Sequence, residues 1–285
     1  MRHRLAMQDW QSKALRAIYA ITDDLLKAMG HSEDCRITMS DAEVITTALI
    51  AAKFFGGNHH RACSYLQEHG LIPKMLSPSR FSRRLHRLFV PMLELFDCLG
   101  MILKSITPQS EYILDSFPVP ICDNIRIPKV RLVKSEDYRG YIASKKRYFY
   151  GIRVQLLATR QGIPVEFAFL PGEANDTRGL NALPFNLPTG SFIYCDAGYT
   201  DYQAEDNLQE AEALHLQVMR KRNSKRSDTP CAAYIKQSIR HPIETVFSSI
   251  TSRFPKTIHA VTLDGFLLKL ATFILVFTLE SAFLA

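Results

Sequence analysis

Two short apolar runs each end in an aspartate. Tyr112-Ile113-Leu114 leads into Asp115, and Phe192-Ile193-Tyr194-Cys195 leads into Asp196. Runs of this length, rich in β-branched and aromatic residues, predict buried strands with a carboxylate at the C-terminal tip. Packing does not explain such a carboxylate, because desolvating it without a partner is costly. Strand tips are also where open α/β sheets place their ligands. Two such strands, parallel and adjacent, bring both carboxylates to one edge of the sheet. That pair calls for a divalent cation.

The elements that must hold the pair are legible from periodicity. Strands are predicted at 111–115, 152–158, 165–169, 192–196 and 216–219, the second and third joined as a hairpin through Gln161-Gly162. Helices are predicted at 177–185 and from the Thr200-Asp201 cap to 214, and two more close the chain. This is the RNase H-like order, in which the first and fourth strands are neighbours. It expects a third acid on the helix after strand five. Glu244 in Arg240-His241-Pro242-Ile243-Glu244-Thr245-Val246-Phe247 fits, with Ile243, Phe247, Ile250 and Phe254 facing the sheet. Glu205 and Glu212 are the next acids in line. Three carboxylates at one point repel one another, so they suit two Mg²⁺ (or Mn²⁺) ions about 4 Å apart. One ion would activate an attacking water or 3′-OH, the other the leaving oxygen; the chain itself needs no nucleophile.

The first 106 residues read as helical throughout. Leu15, Ile18, Ile21, Leu25 and Met29 fall at helical spacing, and Gly30 ends the run. Ser40-Asp41-Ala42-Glu43 is a capping box, Asn58 caps a helix to 69, and Gly56-Gly57 is a helix stop. Ser77-Pro78 starts a helix on which Arg80, Arg83, Arg84 and Arg87 form one face, while Phe81, Leu85 and Leu88 form another. No acid interrupts the arginine stripe. A short helix, a turn and this helix predict a helix-turn-helix at about 59–89 lying in a major groove, and Pro91 is expected to break the chain after it. The fold class is therefore α/β: an RNase H-like core with a mixed five-stranded sheet at 107–285, after an all-helical DNA-binding domain at 1–106.

Lysine and arginine outnumber the acids by 35 to 28, for a net charge of +7, and the excess is clustered, which favours nucleic acid as partner. The stretch 123–147 reads as an irregular loop. It carries Lys145, Lys146 and Arg147 with Tyr138, Tyr141 and Tyr148 interleaved, a pattern that grips a phosphate backbone. Six cysteines without a C-x-x-C spacing read as buried thiols in a reducing cytoplasm. Lys269 and Glu280 interrupt the apolar C-terminal stretch, which therefore reads as a buried helix and not a membrane span. His59, His60 and Cys63 lack a fourth ligand nearby and read as structural.

The chain resembles the DDE transposases of bacterial insertion sequences, in particular insertion-sequence family 982, over nearly its whole length. The resemblance rests on Ile113-Leu114-Asp115-Ser116-Phe117-Pro118-Val119-Pro120, Tyr138-Arg139-Gly140-Tyr141 to Tyr150-Gly151, Asp196-Ala197-Gly198-Tyr199 and Ile243-Glu244-Thr245-Val246-Phe247. It implies Asp115, Asp196 and Glu244 as the metal-binding triad. The implied substrates are terminal inverted repeats and target DNA, bridged by a homodimer in the bacterial cytoplasm at the nucleoid. A related signature, Tyr-x2-Arg-x3-Glu-x6-Lys, is met here by Arg240 and Glu244, a candidate DNA contact and the third acid; Gln237 and Thr251 stand at the other positions. Two other functions share this sequence pattern: an RNase H-like nuclease that hydrolyses without joining, and a catalytically silent DNA-binding descendant.

Overall fold

The computed structural model describes residues 2–107, 110–122, 124–142 and 146–284. Lys145 lies outside the described residues. The chain forms two compact units, residues 1–99 with 252–285, and residues 100–251. A division at 106/107 does not coincide with them, because the last helix packs into the N-terminal unit.

That unit contains α1 (Arg2–Ala28), α2 (Asp41–Phe54), α3 (His59–Glu68), α4 (Pro78–Arg87), the first part of α5 (Phe89–Ile106), and α10 (Leu263–Leu279). The capping box forms as its residues dictate: Glu43 N–H donates to Ser40 Oγ at 3.1 Å and Ser40 N–H to Glu43 Oε2 at 2.7 Å. Asn58 caps α3 through Arg61 N–H. Pro91 does not break the chain. It falls in the first turn of α5, where a missing N–H costs no intrahelical bond. With its π-helical continuation to Leu284, α10 forms a 22-residue helix long and apolar enough to cross a membrane, yet Phe266, Leu270 and Ile274 are almost wholly buried and Phe273 packs on Phe254 with ring centroids 5.1 Å apart. Beyond it, Glu280 pairs with both Lys53 and Arg253.

The second unit is built on a mixed sheet of six strands, not five. They are β1 (Glu111–Cys122), β2 (Arg139–Ile142), β3 (Arg147–Thr159), β4 (Pro164–Pro171), β5 (Phe192–Cys195) and β6 (His215–Val218). The order is β2-β3-β1-β5-β6, with β4 also paired to β3. The β3–β4 hairpin turns at Gly162, whose φ of +84° few side chains tolerate. The unforeseen strand, β2, lies in the stretch expected to be irregular. It pairs with an N-terminal extension of β3, and Tyr141 and Tyr148 face each other across the pair at 4.9 Å. Short polar strands of this kind carry no alternation to reveal them.

β1 also outruns its expected end at Asp115. It pairs antiparallel with β3 from Tyr112 to Cys122, but parallel with β5 only from Glu111 to Ile113. Pro118 and Pro120 fall where β3 alone flanks the strand, so their missing N–H groups break no ladder on the other side. Three helices, not two, follow β6: α8 (Pro230–Arg240), α9 (Pro242–Thr251) and α10. Ile243, Val246 and Ile250 bury one face of α9, and Phe247 meets Phe117 of β1 at 4.8 Å. Phe254 lies beyond α9 in the other unit, where it packs on Phe273.

Candidate active site

Asp196 sits directly after β5, as its sequence predicts, and caps a short 3-10 turn by accepting the N–H of Gly198. Asp115 lies within β1. The last parallel rung pairs Ile113 with Tyr194, and continuing that register by two residues sets Asp115 opposite Asp196. Side chains two residues apart share a face of the sheet. Both carboxylates therefore come to the point where β5 stops and β1 goes on.

Burial pushes the Asp115 carboxyl up to about 6, and the charges of Asp196 and Asp176 push the same way. Two contacts pull against them. Arg240 Nη2 donates to Asp115 Oδ2 at 3.0 Å, and Ser116 N–H donates to Oδ1 at 2.7 Å. Arg240 is the last residue of α8, since α9 starts at Pro242. The arginine expected to reach DNA thus meets an active-site candidate instead.

Glu244 occupies an exposed position in the first turn of α9, a helix docked on β1 through Phe247. Among the described residues, Asp115, Asp196 and Glu244 do not converge as a group with ligand atoms within 4.8 Å of one another; His31, Glu33 and Asp41 of the N-terminal unit do. In that group Asp41 already holds His31 at 2.9 Å and Arg84 at 2.6 Å. Glu205 is a poor substitute for Glu244, because Arg220 holds it in two bonds of 2.7 and 2.6 Å and Arg226 adds a third.

Three residues missed by sequence reasoning, Asp176, Arg153 and Gln155, support the aspartates together with Gly198 of the Asp196-Ala197-Gly198-Tyr199 motif. Asp176, the first residue of α6 (Asp176–Leu180), accepts from Ser116 Oγ at 3.1 Å, and Arg153 donates to the same hydroxyl at 3.1 Å. Gln155, fully buried on β3, donates to the buried Tyr199 hydroxyl at 2.7 Å and anchors the turn that carries Asp196. A side chain at Gly198 would displace the carboxylates around it. A Cβ would lie 2.3 Å from Asp176 Oδ2 and 2.9 Å from Asp196 Oδ1. In sequence Asn175-Asp176-Thr177 reads only as a helix cap, and a lone Gln in an apolar strand signals nothing.

The candidate DNA contacts separate into two kinds. Arg80, Arg83 and Arg87 are exposed on α4. Arg84 is not free for DNA, because it donates to Asp41 Oδ1 through Nε at 3.0 Å and Nη2 at 2.6 Å. An acid 43 residues away neutralises a stripe that looks unopposed locally. Lys146 and Arg147 are exposed at the β2–β3 connection. Cys63 and Cys195 are buried as expected, whereas Cys35 and Cys231 are exposed.

A mixed sheet flanked by helices, with two aspartates in register at the end of a parallel strand pair, is the arrangement of an RNase H-like domain. The chain belongs to the transposase DDE-domain family, whose description "Transposase DDE domain" matches residues 106–259. That membership implies the RNase H-like fold and a role in transposition, with DNA as partner. Domains of this family generally work with divalent metal ions. Neither the curated proteins nor the solved structures give a match. The carboxylate oxygens of Asp115 and Asp196 are hard donors of the type Mg²⁺ or Mn²⁺ takes. Asp115 also lacks the solvation that would let its charge stand alone. The residues present fit such an ion.

Proposed function

We propose that the protein binds the ends of an insertion sequence and cuts and joins DNA strands there, in the manner of family 982. The observation that carries this reading is the register of Asp115 against Asp196 across β1 and β5. Asp115, Asp196 and Glu244 hold the metal. Two divalent ions, when bound, would supply the charge that activates the attacking oxygen and steadies the leaving one. The chain's own part is positional. The β1–β5 register supports two of the proposed ligands, the Gln155–Tyr199 bond steadies the turn of the second, and Glu244 on α9 would close on them when metal binds. Arg80, Arg83, Arg87, Lys146, Arg147 and Lys145 supply the cationic surface that holds DNA. A homodimer acting in the cytoplasm would bridge the two ends.

The test is metal-dependent nicking of a labelled element end by wild type, Asp115→Asn, Asp196→Asn and Glu244→Gln at matched DNA occupancy. Each substitution should abolish nearly all cleavage, and combining them should add little, since groups acting as a unit are not additive. DNA binding should survive. Near-normal cleavage by either aspartate variant ends the reading. Cleavage by wild type without joined products would make the protein a nuclease, and neither product would make it a silent DNA-binding descendant.

A further inference from the structure

The N-terminal unit contains a cleft of about 500 Å³ that shares Arg83 and Arg87 with the proposed DNA surface, while its other lining residues have no part in that reading. Arg83, His86 and Arg87 of α4 form one wall. His59 of α3 and His259 and Lys269 of the C-terminal segment stand opposite, with Ala260, Val261 and Leu268 as an apolar floor between them. No aspartate or glutamate among the described residues lines it.

The groups are aimed and crowded. His86 Nδ1 bonds Ser82 O at 2.8 Å, which leaves Nε2 toward the first turn of α10, 2.8 Å from where a Cβ on Gly265 would stand. Lys269 Nζ donates to His259 O and ties the segment to α10. Burial and the charges of Lys269 and His86 push His59 down to about 4, and burial lowers Lys269 as well. Arg83, Arg87 and Lys269 meet there with no carboxylate in the lining, and burial disfavours the Lys269 charge until an anion arrives.

We propose that this cleft seats a phosphate of the DNA backbone, so that segment 259–269 and α4 hold DNA together. The nature of the partner rests on the transposase reading; the site itself does not involve the aspartates. It extends the DNA-binding surface to residues that follow the catalytic unit in the chain.

The experiment uses the full chain and a fluorescent duplex of random sequence, with anisotropy read across a series of KCl concentrations. Lys269→Gln should weaken binding several-fold and lower the log–log salt slope by about one, as loss of one cationic phosphate contact does, and His259→Gln should weaken binding several-fold. Lys269→Arg should restore affinity and slope. His259 is exposed, so its variant keeps the test valid if Lys269→Gln fails to fold. Lys27→Gln, whose lysine pairs with Asp23 at 2.6 Å, should change nothing. Unchanged affinity and slope in both glutamine variants overturn the cleft assignment and leave the transposase reading standing. The same result, with inorganic phosphate raising the melting temperature of wild type but not of Lys269→Gln, overturns it in favour of a free anion. A wild-type chain with no affinity for duplex overturns both.

Discussion

Arg240 Nη2 lies 3.0 Å from Asp115 Oδ2, a pair that closes across 125 residues and joins the end of α8 to the strand carrying the first aspartate. Its consequence is a pH dependence with a definite sign. The Asp115 carboxyl is raised from an ordinary 3.8 to about 6, so between those values the folded chain binds the proton more tightly than the unfolded one. Stability from this residue is then fully present below about pH 4 and falls as pH rises through 6. Asp115→Asn should therefore be more stable than wild type at pH 7.5, by on the order of 3 kcal/mol, and the gap should close toward pH 4. Urea unfolding in the presence of a chelator measures it. Arg240→Gln should destabilise at pH 7.5 by about 1–3 kcal/mol and by less at pH 5, where Asp115 is protonated.

Gly198→Ala separates positioning from DNA binding. The added Cβ would overlap Asp176 Oδ2 and crowd Asp196 Oδ1. Cleavage of an element end should fall by at least about tenfold, the effect of a misplaced group in a reacting site. Affinity for the same duplex by anisotropy should be unchanged. Cleavage at the wild-type rate would show that the turn can shift without moving the aspartate.

Neighbouring arginines on α4 should differ in kind. Arg84→Ala leaves the buried Asp41 with only His31, and should cost about 1–3 kcal/mol of stability in urea. Arg83→Ala should leave stability within about 0.5 kcal/mol. It should weaken discrimination between element ends and random DNA by about 1–3 kcal/mol, the worth of one bidentate base contact. Equal stability loss in the two variants would contradict the assignment.

The C-terminal segment should be inseparable from the N-terminal unit. Deleting residues 264–285 removes α10 and the carboxylate shared by Lys53 and Arg253, and should leave insoluble protein. Glu280→Gln is the milder probe. It leaves two poorly solvated cations without their common counter-charge, and should cost about 2–4 kcal/mol. A soluble truncation with native circular dichroism would show that the unit closes without the helix.

Local patterns alone determined much of this protein. The capping box at Ser40, the cap at Asn58, the β3–β4 hairpin and Asp196 at the end of β5 all follow from interactions within a few residues. The pairing of β1 with β5 followed from the order of the elements and not from alternation, since both strands are continuous apolar runs whose edges only demand some neighbour. Only the tertiary structure decided which charges meet. Arg84 looks like part of an open stripe until Asp41 closes on it from another helix, and Arg240 looks like a DNA contact until Asp115 takes it. Polar pairs of this kind leave no periodic trace, since a single carboxylate in a sequence reads the same whether it faces water, a guanidinium or a metal. The position of α10 was decided in the same way. Its apolar faces require burial but do not name the surface that provides it, and the chain met that need in the helices that precede the catalytic unit.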